Sequence, residues 1–164
     1  MRLDMTRNPG KGIDPLRYAF LGALIGSASR ILTGPLADKW GGARLTVFST
    51  LGIAATSIYT SQYISPMSVD EFPKFLYGML AIFFFAGIGN ASTFKQMPMI
   101  FERRQAGNVI GWTSAIAAFG PFGFGVLLAT NAPSLFFKMG GIFGLLAALI
   151  AWWYYARPNA EMPS

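Results

Sequence analysis

The sequence predicts an all-α polytopic membrane protein of about five transmembrane helices, and three observations lead there. Hydrophobic residues make up 53% of the 164-residue chain, charged residues only 12%, and mean hydropathy is +0.45. That is too apolar for an ordinary soluble domain. The apolar residues come in runs of about 20, enough to cross roughly 30 Å of hydrocarbon as helix, rather than in amphipathic periods. Polar segments carrying Pro and Gly separate the runs and mark where the chain turns.

Residues 1–14, MRLDMTRNPGKGID, form a flexible lead-in that lacks the apolar stretch of a signal peptide. Pro15 suits a first helical turn, and residues 15–157 then read as one transmembrane bundle. Its spans are expected at 16–36, 45–64, 75–94, 109–130 and 135–156. ADKWGGAR separates the first two spans, SPMSVDEFP the second and third, QMPMIFERRQAGN the third and fourth, and NAPS the last two. Trp152, Trp153, Tyr154 and Tyr155 precede Arg157, and such a band of amphipathic rings beside a cation marks a membrane interface. Residues 158–164 form a short tail.

Orientation follows from the cations. Lys39 and Arg44, Arg103 and Arg104, and Arg157 fall at the first and third loops and the tail, whereas the opposite side holds Lys74 and, at the start of the last span, Lys138. The odd loops and the C-terminus are therefore expected in the cytoplasm, with the bacterial inner membrane the expected location. The lead-in, with Arg2, Arg7 and Lys11, and Arg17 just inside the first span, pull the other way unless the lead-in is an internal loop of a longer chain.

Composition also excludes function classes. There is no cysteine and no histidine, and no carboxylate pair falls within an apolar run, so acid–base, nucleophilic-thiol and metal constellations have no material. Neither an enzyme nor a cofactor or metal protein is expected. The 13 Lys and Arg are spread thinly, which gives nucleic acid no basic stripe to bind.

Two stretches stand out. LIGSASRILTG, residues 24–34, places Arg30 within an apolar and small-residue span. A buried arginine there costs at least about 2.5 to 3.5 kcal/mol and should face a bundle interior or aqueous cavity with a partner. Every acid of the chain falls in an expected loop or terminus, so the partner is a backbone carbonyl, an acid outside this chain, or an anion. GPLADKWGGAR, residues 34–44, joins two spans and carries Gly34, Asp38, Lys39, Gly41 and Arg44. Gly41 and Gly42 permit a tight turn, and Asp38 suits a helix N-terminus or a pair with Arg44.

The pattern G-x-x-x-D-K-x-G-x-x-R resembles the cytoplasmic signature loop of the major facilitator superfamily. FFAGIGNASTFKQMPMIF, residues 84–101, and GWTSAIAAFGPFGFG, residues 111–125, are similar to the tenth and eleventh helices of its nitrate/nitrite porter family. The resemblance implies a partial C-terminal half-bundle, helices eight to twelve of twelve, with an N-terminal half or partner chain supplying the rest. It implies alternating-access transport of nitrate or nitrite, by symport or exchange, and the lack of an intramembrane carboxylate or histidine tilts toward exchange. Arg30 then matches the substrate arginine and Phe94 an aromatic packed against the anion. Gly111 and Gly120 belong to the nitrate signature, from which Pro121 departs.

On physical grounds alone, Phe94 and the glycines read as ordinary helix packing more readily than as anion contacts. Asn90 is either a donor to the anion or an interhelical hydrogen bond, and Lys95 either snorkels or adds potential to the anion path. Two rival readings remain: a truncated membrane fragment or interaction subunit that transports nothing, and a porter for another small oxyanion.

Overall fold

The structure, a computed structural model, describes residues 16–64, 71–120, 123, 125, 126 and 133–162. The expected lead-in, residues 65–70 of the loop between the second and third spans, Pro121, residues 127–130 of the expected fourth span with the first half of NAPS, and the last two residues of the tail lie outside the described residues. Helix α1 spans Leu16–Trp40, α2 Gly42–Gln62, α3 Phe72–Ile100, α4 Arg103–Ala118 and α5 Pro133–Ala151. A π-helical turn, Trp152–Ala156, prolongs α5 and ends as Arg157 N–H donates to the Trp152 carbonyl. The described chain is helical with no strand, as the sequence predicts.

Packing follows small residues. α3 lies between α1 and α2, α2 lies between α3 and α5, and α4 touches α3 alone among the described elements. The buried set is dominated by Ala37, Ala43, Ala54, Ala91 and Ala148 together with Ser49, Thr60 and Ser92. Large apolar side chains point outward instead, with Leu32 76% exposed and Phe143 75% exposed. In water such an arrangement would waste most of the available hydrophobic burial, whereas lipid makes small-residue helix contacts the profitable ones. Three helices, Tyr18–Trp40, Phe72–Ile100 and Pro133–Ala156, are long and apolar enough to cross a membrane. The fourfold run of threonines Thr46, Thr50, Thr56 and Thr60 gives α2 a more polar character, and their hydroxyls donate to carbonyls one turn back. That back-bonding satisfies them within the helix.

The helices run past the limits read from hydropathy. α1 continues through Pro35 to Trp40, so Gly34, Asp38 and Lys39 sit in its last turns rather than in a loop. Only Gly41 lies between α1 and α2, and Arg44 is already in the first turn of α2. The signature is a helix–turn–helix corner rather than a loop. One residue suffices because Gly41 adopts φ 86°, a conformation that side-chain-bearing residues avoid. Likewise α3 extends through Pro98 to Ile100, and only Phe101 and Glu102 separate it from α4. Apolar residues report lipid contact, while helical hydrogen bonding continues into the polar interface.

Candidate functional site

The site begins with a close helix crossing. Gly87 on α3 lies against α1 so tightly that a Cβ there would stand 2.0 Å from Ser29 Oγ and 2.4 Å from the Gly26 carbonyl. Only a glycine allows the two backbones this near. Ser29 answers the crowding by donating to the Gly26 carbonyl at 3.0 Å, which keeps its hydroxyl satisfied within the interface.

From that crossing the next turns of α3 present Asn90 and then Phe94 toward α1. Gly26, Arg30, Phe83, Gly87 and Asn90 share the lining of a cavity of about 260 Å³. Its size falls just under the roughly 300–1,000 Å³ of pockets for drug-sized ligands, and suits something smaller. The Arg30 guanidinium carbon lies 5.5 Å from the Phe94 ring centroid, a cation–π distance. Arg30 is exposed on this face, and among the described residues no carboxylate pairs with it. The arrangement is a permanent cation, steadied by an aromatic face, with an amide beside it and its donors free.

The neighbouring cation is otherwise engaged. Lys95, next to Phe94, forms an ion pair with Asp38 and so ties α3 to the end of α1. Both side chains are substantially exposed, at 44% and 61%. Solvent screening therefore limits the pair to a small share of stability.

Other expected site residues lie elsewhere. Gly111 is on α4, which does not touch α1, and a Cβ there would meet nothing within 4 Å among the described residues. Gly120 follows the end of α4. The structure thus gathers Arg30, Asn90 and Phe94 and leaves Gly111 and Gly120 apart. It also shows a polar contact that the sequence reading missed. Thr46 Oγ1 on α2 lies 2.9 Å from Ser92 Oγ and 3.2 Å from Gln96 Oε1 on α3. The signal was present as Ser92 and Gln96 one turn apart on a single helix face.

No protein-family model matches the chain. Individual proteins do. It is 52% identical over 155 residues to the probable nitrate/nitrite antiporter NarK2 of Thermus thermophilus, covering 92% of this chain and 35% of that protein. It is 28% identical over 171 aligned positions to the nitrate/nitrite transporter NarU of Escherichia coli strain K12, and equally to NarU of Salmonella typhimurium. Those matches cover 88% of this chain and 37% of each transporter. The chain therefore spans about a third of the length of these curated relatives.

Proposed function

The chain is related by sequence to part of the nitrate/nitrite porter family, an integral membrane family, and on that premise we propose that it supplies one wall of a nitrate or nitrite transport site. The observation that carries this reading is Arg30. Its planar guanidinium can donate two parallel hydrogen bonds to a planar oxyanion, and an anion supplies the charge that no carboxylate among the described residues provides. Phe94 lies 5.5 Å from the guanidinium carbon and shapes the site beside it, and the Asn90 amide, in the same cavity wall as Arg30, donates to a further oxygen.

The opposite wall comes from an N-terminal half or partner chain, and the two halves rock about the site between them. Gly111 and Gly120 are assigned to the same site on the family resemblance, in the assembled protein rather than within this bundle. Exchange fits better than proton symport, because there is no histidine in the chain and one relative is named an antiporter. The membrane is the bacterial inner membrane, with the C-terminus in the cytoplasm, in keeping with the positive residues at that end.

The test is nitrate uptake by nitrite-loaded proteoliposomes holding the chain alone, or together with the first seven helices of a related porter. Uptake is expected only from the combination, and Arg30→Ala should abolish it. Uptake unchanged by Arg30→Ala would remove this residue from the substrate path. A combination that folds together yet carries nothing would favour a non-transporting interaction subunit.

A further inference from the structure

At the corner where α1 turns into α2, three cations come together with no task in the transport reading. Lys39 lies near the end of α1, Arg44 in the first turn of α2, and Arg157 just past the π-helical turn. The fold places all three around one cavity of about 630 Å³, with Trp40, Met99 and Tyr155 also in its wall. No carboxylate lines this cavity, and among the described residues none of the three is in an ion pair. Asp38, adjacent to Lys39 in sequence, is committed to Lys95. Arg157 is held in place by stacking, its guanidinium carbon 4.2 Å from the Trp153 ring centroid. Its Nε is buried with no hydrogen-bond partner among the described residues.

Three like charges around one space raise the energy of the empty site, and one polyanionic group relieves that repulsion. We propose that this cavity binds a phosphate group, presented by an anionic phospholipid headgroup or as free phosphate. A phosphate offers the several acceptor oxygens that two guanidinium forks and an ammonium require together. The exposed Trp40, Trp152 and Trp153 surround this end of the bundle with the rings that sit at headgroup depth. A headgroup therefore arrives already positioned. Arg30 does not line this cavity, so the site stands independently of the transport reading.

The full chain, purified in detergent, tests this by native mass spectrometry with phosphatidylglycerol or phosphatidylcholine added. Phosphatidylglycerol should be retained about tenfold better by the unsubstituted chain, and each of Lys39→Gln, Arg44→Gln and Arg157→Gln should weaken it about fivefold. Arg44→Lys, which keeps the charge but loses the two-pronged donor, should fall between the unsubstituted chain and Arg44→Gln, and Lys138→Gln, which lies outside the cavity, should change retention little. Displacement by millimolar inorganic phosphate identifies free phosphate as the source, and resistance to it identifies the headgroup. Equal retention of both lipids by the unsubstituted chain overturns the proposal, and needs no variant to fold. So does a full phosphatidylglycerol preference in Arg44→Gln and Arg157→Gln proteins of normal helicity.

Discussion

The Arg30 guanidinium on α1 lies 5.5 Å from the centre of the Phe94 ring on α3, so the cation is steadied across a helix interface. A flexible arginine loses rotamer freedom when it grips an anion, and a ring that already restrains it reduces that loss. Cation–π contacts at open sites are worth about 0.5–1 kcal/mol. Phe94→Leu should therefore raise the KM for nitrate about two- to fivefold in the complemented proteoliposomes, while Phe94→Tyr stays near the unsubstituted value. An unchanged KM in Phe94→Leu would mean that the ring only fills space.

Arg30→Lys separates charge from shape. Lysine keeps the positive potential but replaces a rigid two-pronged donor with a mobile point charge. A charged hydrogen bond is worth about 1.5–3 kcal/mol, so Arg30→Ala should weaken nitrate binding about 10- to 100-fold or more. Arg30→Lys should fall between the two, with a larger loss for planar nitrate than for chloride measured as a competitor. Equal losses for both anions would show that the site selects charge alone.

The glycines divide into two physical classes, and the division is measurable. Gly87→Ala drives a Cβ into the Ser29 hydroxyl and the Gly26 carbonyl. Overpacking of this kind costs about 1–3 kcal/mol, so thermal unfolding in detergent should move down by several degrees. Gly111→Ala meets nothing within 4 Å and sits inside helix α4. There the substitution should be neutral or stabilising by up to about 1 kcal/mol. If Gly111→Ala leaves stability intact yet lowers nitrate uptake in the complemented system, Gly111 serves the assembled site rather than this bundle.

This contrast shows what was legible in the sequence. The helical class, the small-residue contacts and the oddity of Arg30 were all readable, because hydropathy and an isolated charge are properties of single residues. The resemblance set Arg30 and Phe94 each beside an anion without pairing them with one another, and their contact across the α1–α3 interface emerges only from the fold. What hydropathy hid was the extent of the helices. Asp38, Lys39 and Lys95 read as loop or interface residues, yet their backbones stay helical, since polar side chains at a helix end remain hydrated without interrupting its hydrogen bonds. The Asp38–Lys95 pair was hidden for the same reason, because it forms only when both helices run on into the interface.

The ion pair itself should matter little to stability. Asp38→Asn and Lys95→Gln, with the double variant closing the cycle, should give a coupling of about 0–1 kcal/mol that shrinks as salt is added. A coupling well above that range, insensitive to salt, would mean that the pair is shielded from water in the assembled protein.

Gly41 and Gly34 belong to the same signature but to different physics. Gly41 takes φ 86° and ψ 143°, a region open essentially to glycine alone, and it is the whole connection between α1 and α2. Gly41→Ala should cost about 1–3 kcal/mol, seen as a lower unfolding temperature in detergent. Gly34 lies inside α1 with nothing within 4 Å of a built Cβ, so Gly34→Ala should leave the isolated chain as stable or slightly more so. Because this helix face is open among the described residues, the glycine at position 34 has room for a further neighbour. The discriminating experiment pairs the two variants with the complementary helices. Gly41→Ala should fail with or without them, whereas Gly34→Ala should lose stability only in their presence, and a loss in the isolated chain would place the steric demand within this bundle.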